Sequence, residues 1–174
     1  MWWCRLALPF LLTATASLAA CGFQPLYGDQ GAVGPSTAEA LASIRVEAIA
    51  DRSGQQLHNL LLNDLSPYGR PADPRYILTV DVTATKEELG FRRDETPTRA
   101  NLNLRANYTL RQASDGTVLL TSMSRSTSSY DILENPFAAL VSEEDALERA
   151  TQALSEDIRT RLAVFLSDAV AKAP

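Results

Sequence analysis

Periodicity places this chain in the α+β class: a two-layer sandwich with two helices packed on one face of a mostly antiparallel four-stranded sheet. Three observations carry that expectation. Apolar residues alternate along 98–111 and again along 75–85, as strands with one buried and one wet face require. Leucines recur at three- and four-residue steps near the middle of the chain, and a longer apolar stripe with the same spacing lies near its end. The elements also come in the order strand, helix, three strands, helix, so two amphipathic helices can cover one sheet.

The composition suits such a fold. The chain has 174 residues, of which 45% are hydrophobic and 21% charged, a globular balance. Its formal net charge of −5 argues against a general nucleic-acid binder, which would carry a basic excess. The single histidine is His58 and the two cysteines are Cys4 and Cys21, too few for a Cys/His zinc site and a poor basis for His-centred catalysis.

Residues 1–20 read as an export signal. Arg5 precedes an apolar stretch from Leu6 to Leu12 that continues in small residues to Ala20. A membrane span would need about 20 apolar residues, and this run is shorter. It ends in Leu18-Ala19-Ala20-Cys21, the lipobox pattern of bacterial lipoproteins. Cysteine is needed there because its soft thiol takes a diacylglyceryl group as a thioether, and cleavage before it frees an amine for a further acyl chain. An ordinary secretory site would need only the small residues. Several acyl chains on Cys21 make a lasting anchor, where one alone holds marginally. Gly22 stands where an aspartate tends to keep proteobacterial lipoproteins at the inner membrane, which points to the outer membrane.

Residues 21–43 then form a lipid-anchored tether rich in Gly and Pro, and 44–171 the folded domain. Phe23, Leu26 and Tyr27 sit close to the lipid; they read either as linker aromatics or as residues packing on a partner or the bilayer interface. Residues 44–49 alternate as a short strand. Ser53 and Gln56 form a capping box that opens a helix over 54–65. Ser66-Pro67-Tyr68-Gly69 ends it. The strand over 75–85 turns Tyr76, Leu78, Val80, Val82 and Ala84 one way, and a polar loop over 86–97 follows, carrying Phe91-Arg92-Arg93. Over 98–111, Arg99, Asn101, Asn103, Arg105, Asn107, Thr109 and Arg111 line the wet face. Asp115-Gly116 marks a hairpin, and the returning strand over 118–129 is so rich in Ser and Thr that its register stays open. Asn135-Pro136 breaks the chain. Ser142 caps a final helix over 143–169, with Glu143, Glu144 and Asp145 in its first turn, where carboxylates complement the helix dipole.

No catalytic or nucleotide fingerprint is present, so the sequence predicts a protein that is not an enzyme. His58 reads as a solvent-facing helix residue, and the carboxylates at 143–145 as helix-capping groups rather than a metal site. The wet sheet face and the basic Arg92-Arg93 tip read either as ordinary solvated surface or as a place where Arg clamps a phosphate bidentately.

Several stretches resemble the lipopolysaccharide-assembly lipoprotein family LptE, in its alphaproteobacterial form. They are C-G-F-Q-P-L-Y-G at 21–28, the R-x-x-Q-x-L step of Arg52, Gln55 and Leu57, the Phe91-Arg92 step, S-Y-D-I-L-E-N-P-F-A-A-L at 129–140 and E-E-D-A at 143–146. The resemblance implies a lipid-anchored subunit on the periplasmic face of the outer membrane. It would plug an LptD-like β-barrel, assist its assembly, and help insert lipopolysaccharide into the outer leaflet. It implies lipopolysaccharide binding at Arg92, with Arg93 beside it. A second basic position of some relatives is Val141-Ser142 here. No cofactor is implied beyond the covalent diacylglyceryl and N-acyl chains on Cys21. The alternative is a lipid-anchored periplasmic activator of a cell-wall synthase.

Overall fold

The structure, a computed structural model, describes residues 35–67, 69–91 and 97–171. The signal segment, Cys21, the aromatic stretch at 23–27 and Arg92-Arg93 lie outside the described residues. The elements run α1 (Pro35–Ala42), β1 (Ile44–Val46), α2 (Asp51–Leu65), β2 (Tyr76–Phe91), β3 (Pro97–Gln112), β4 (Val118–Asp131) and α3 (Pro136–Ala171). The four strands stand in chain order in one sheet. β1 pairs with β2 in parallel, with Ile44 opposite Tyr76, and helix α2 makes the crossover that parallel neighbours need. β2–β3 and β3–β4 are antiparallel. The α+β class holds, with three helical segments rather than two packed with a mixed, mostly antiparallel sheet.

β3 sets the layering. Ala100, Leu102, Leu104, Ala106, Tyr108 and Leu110 are all buried, while the residues between them are exposed or half-buried. That is the period of two expected from the sequence, and it assigns one sheet face to the core. Leu57, Leu61 and Leu65 of α2 and Leu154, Ile158, Leu162 and Leu166 of α3 complete the core with Ile44, Val46, Leu78 and Val80. A smaller cluster of Ala100, Leu102, Tyr130 and Ala146, flanked by Ile132 and Leu147, extends it toward the start of α3. At 36 residues α3 is roughly 54 Å long, about the reach of the 16-residue β3, so one helix can follow the sheet from end to end.

β4 reaches the same core with small polar residues. Ser124 and Ser128 are buried on it, facing a helix whose Thr151 and Ser155 are also buried. Three of these hydroxyls are hydrogen-bonded. Ser124 Oγ donates to Asp157 at 2.5 Å, Thr151 Oγ1 to the Leu147 carbonyl at 2.7 Å, and Ser155 Oγ to Asp64 of α2 at 2.7 Å. Burial pushes the Asp157 carboxyl up, but the Ser124 hydroxyl and the Arg161 guanidinium outweigh it and hold it below its ordinary value.

Several boundaries differ from expectation. The end of the expected tether is helical over Pro35–Ala42, with Thr37, Ala40 and Leu41 buried. β1 is only three residues long, although the Glu47 amide still donates to the Leu78 carbonyl at 2.9 Å. The Ser53–Gln56 capping box does not form. α2 starts at Asp51, whose φ of 66° lies in the left-handed region that Asp tolerates, and Ala50 caps it with no side-chain bond. Ser53 is therefore already inside the helix. Gly54 has a steric reason: a Cβ there would lie 2.6 Å from Ile49 Cγ2.

The expected loop over 86–97 is mostly strand, because β2 continues pairing with β3 out to Phe91 opposite Pro97. Val82 is only half-buried and Ala84 is exposed, so the core face of β2 is covered near β1 and bare beyond it. The expected break at Asn135-Pro136 is the start of α3. Asn135 Oδ1 accepts from the amides of Phe137 at 2.9 Å and Ala138 at 3.3 Å, and Pro136 takes the first helical position, where its missing N–H costs nothing. Ser142 is consequently not a cap, and residues 143–145 lie well inside the helix. The β3–β4 register, unfixed by sequence, pairs Arg105 with Arg125 and carries an irregularity at Leu110/Arg111.

Candidate functional site on the open sheet face

The sheet face opposite the helices is a ladder of polar rungs. Arg99 Nε meets Asp131 Oδ1 at 3.2 Å. Ser129 Oγ donates to Asn101 Oδ1 at 2.7 Å, and Thr127 Oγ1 donates to Asn103 Oδ1 at 2.8 Å. With each Asn oxygen held by a hydroxyl, the amide NH₂ is left as a donor. On the next rung Arg105 stands directly opposite Arg125 across β3–β4 and opposite Thr83 across β2–β3. Thr83, Thr85, Asn103, Arg105, Asn107, Arg125 and Thr127 line a depression of about 490 Å³ there.

Strand alternation puts these side chains outward, because Leu104, Ala106 and Ser124 are turned into the core beside them. The expected lattice of Asn, Thr and Arg is therefore present. The Arg105–Arg125 opposition was not readable from sequence, because it depends on a register that a Ser/Thr-rich strand does not announce. The one signal was Arg125 itself, a lone basic residue inside that strand.

On the helix side, a compact polar junction ties β2, β4 and α3. Glu143 Oε2 accepts from Lys86 Nζ at 3.0 Å and from the Tyr130 hydroxyl at 2.8 Å, and Lys86 sits 5.6 Å from the Tyr130 ring centroid. The hydrogen bonds from Lys86 and then Tyr130 hold the Glu143 carboxyl below its ordinary value. Contact with Tyr130 and with Glu143 raises the Lys86 ammonium, and burial raises the Tyr130 phenol. Glu144 pairs with Arg52 of α2 at 2.9 Å, and Asp145 pairs with Arg149 one turn on. Of the three carboxylates expected at a helix start, Glu143 and Glu144 thus tie α3 to other elements, and Asp145 pairs within α3.

His58 is half-exposed, with Nδ1 3.0 Å from the Glu47 carbonyl oxygen. Among the described residues no group of His, Cys, Asp or Glu is placed to hold a metal ion, and no helix is long and apolar enough to cross a membrane. Leu133, Phe137, Leu140 and Val141 are exposed at the corner where β4 passes into α3. Arg92 and Arg93 belong to the connection between β2 and β3, outside the described residues, and Cys21 lies outside them too.

Comparison with known proteins gives one family model, described as Lipopolysaccharide-assembly (LptE), matching residues 41–162. No curated protein matches the sequence. Among solved structures the chain is similar to a Caulobacter crescentus protein proposed to be a lipoprotein, at 22% identity and a TM-score of 0.64, covering 76% of this chain and 97% of that one. It is also similar to lipoprotein B from Nitrosomonas europaea, at 17% identity and a TM-score of 0.55, covering 71% and 82%. A minor lipoprotein from Acinetobacter baumannii aligns at 16% identity and a TM-score of 0.51, covering 70% and 88%. These likenesses concern the fold.

Proposed function

Because the chain belongs to the LptE lipopolysaccharide-assembly family, we propose that it is a lipoprotein of the outer membrane that plugs an LptD-like β-barrel, assists its assembly and helps insert lipopolysaccharide into the outer leaflet. Its role is to fit and to bind, without catalysing a reaction. The observation that supports this reading best is the open hydrophilic sheet face. A sheet covered on one side by helices and lined on the other by Asn, Thr, Ser and Arg suits a water-filled barrel interior, whose wall is itself polar.

In this reading Cys21 carries the diacylglyceryl and N-acyl chains and fixes the chain to the periplasmic face of the outer membrane. Arg92, with Arg93, contacts lipopolysaccharide at the tip of the β2–β3 hairpin. The similarity to solved structures described as lipoproteins agrees with the anchor.

Affinity capture of the tagged mature protein from detergent-solubilised outer membrane tests the reading. A large β-barrel partner is expected, together with reduced surface lipopolysaccharide on depletion. Capture without a barrel, with normal surface lipopolysaccharide after depletion, rejects it. Mass spectrometry of the mature N-terminus tests the anchor separately: an acylated Cys21 is expected, and an unmodified thiol would remove it. For the tip, Arg92→Asp with Arg93→Asp is expected to weaken binding of purified lipopolysaccharide while leaving thermal unfolding unchanged. Undiminished binding would discard that contact.

A further inference from the structure

We infer that Arg105 and Arg125 form a phosphate-binding clamp on the open sheet face, taking a phosphomonoester group between their guanidinium planes. Directly opposed residues on neighbouring antiparallel strands lie roughly 4.5–5.5 Å apart at Cα, close enough for like charges to oppose each other. Arg52, Lys86, Arg99, Arg149 and Arg161 each hold a carboxylate. Arg105 and Arg125 hold none among the described residues. The nearest acidic position on the face, Asp81, stands opposite Asn107, one rung away, and makes no ion pair with either.

The surroundings add donors rather than countercharge. Asn103 has its oxygen occupied by Thr127 and its NH₂ free, and Thr83 presents a hydroxyl across β2–β3. The depression of about 490 Å³ over these residues has room for a phosphate and part of the group it is esterified to. Two planar forks of N–H donors match the oxygens of a dianion bidentately, which a pair of lysines would not do, and the bound charge removes the Arg–Arg opposition. A phosphorylated lipid headgroup and a soluble phosphate share this chemistry.

The inference goes beyond the barrel-plug reading and does not depend on it. The test contains no barrel, so the two can fail separately. The full mature chain is titrated in phosphate-free detergent buffer with inorganic phosphate, and separately with phosphatidylcholine vesicles doped with phosphatidic acid. Binding is read by calorimetry and by the Nε–Hε resonances of the two arginines. Either probe binding to the native chain, and binding about tenfold or more weaker in both Arg105→Gln and Arg125→Gln, is the expected result. Arg125→Lys, which keeps the charge and loses the fork, is expected to recover only part of it.

Binding of both probes assigns the clamp to phosphate in general, and binding of the vesicles alone assigns it to the lipid headgroup. Thermal unfolding of the variants without phosphate should hold or rise, since one of two opposed charges is gone. Absence of binding to both probes, or native affinity retained in the two Gln variants, overturns the clamp.

Discussion

The hydroxyl of Tyr130 donates a 2.8 Å hydrogen bond to Oε2 of Glu143, and the same oxygen receives Lys86 Nζ at 3.0 Å. One carboxylate on α3 thus joins an inner-face residue of β4 to a residue of β2, across the width of β3. The tie sits over the small cluster of Ala100, Leu102, Tyr130 and Ala146 and helps keep the first turns of α3 on the sheet.

Removing one partner of this junction should destabilise the domain modestly, because Lys86 and Glu143 are both more than a third exposed and water screens their attraction. Glu143→Gln keeps the shape and loses the charge; it is expected to cost about 0.5–1 kcal/mol. Tyr130→Phe, which leaves the ring packed and the ion pair whole, should cost about as much through the lost hydrogen bond to a charged acceptor. Urea unfolding of the two single variants and of the pair measures both, and a summed effect in the double variant would show that the two bonds act independently.

The pH dependence has a definite sign. The Glu143 carboxyl is held below its ordinary 4.5 by Lys86 and Tyr130, so its contribution is present above that value. It is lost as pH falls through the depressed folded value. Asp157, held below its ordinary 3.8, contributes in the same direction further down. The alkaline limb is set by Lys86, whose ammonium is raised above its ordinary 10.5, so its contribution is full below that value and fades as pH rises past it. Unfolding followed across acid pH should therefore show Glu143→Gln losing less stability than the native chain below about 4.5.

Asn135→Ala should cost about 1 kcal/mol, since the side chain that accepts from Phe137 and Ala138 is the cap of α3. Hydrogen exchange locates the effect: amides of residues 137–141 should exchange faster, while those around Leu154 and Ile158 should keep their protection relative to the global opening.

Gly54→Ala should destabilise despite the better helix propensity of alanine. The new Cβ would stand 2.6 Å from Ile49 Cγ2 and 3.2 Å from the Ile49 carbonyl carbon, so the buried Ile49 has to move. A loss of about 1–3 kcal/mol is the usual scale of such overpacking. Ile49→Ala in the same chain should restore part of it, and thermal unfolding of the three variants checks the coupling.

Ser124→Val carries two faults at once. It thickens the layer where β4 meets α3, and it strips Asp157 of a 2.5 Å hydrogen bond. About 2–4 kcal/mol is expected from overpacking together with the hydrogen bond lost to the partly exposed Asp157 carboxylate. Ser124→Ala isolates the second fault and should cost about 1–2 kcal/mol.

Periodicity alone located every strand and both long helices, because the code there is redundant: six alternating core positions on β3 outvote any single residue. Boundaries were less legible, since each rests on one or two atoms. Pro136 reads as a breaker or as a first helical residue depending on whether Asn135 turns its oxygen to the following amides. Ser53 reads as a cap unless the backbone has already turned at Asp51. The far half of β2 was hidden because its residues are exposed on both faces and carry no alternation to read. On the open face the residue types were visible and their partners were not. Arg105 could be assigned outward from its own strand, but its opposition to Arg125 depends on hairpin register, which hydroxyl-rich β4 leaves unspecified.

That bare stretch of β2 has a further consequence. Among the described residues no strand pairs with its outer side past Leu78, so a row of amides and carbonyls stands ready to zip onto any passing extended chain. Glu87 and Glu88 fall within this margin, and both are exposed. Like charges on such an edge disfavour side-by-side pairing of two copies, a protection that thins in concentrated salt, when they are screened.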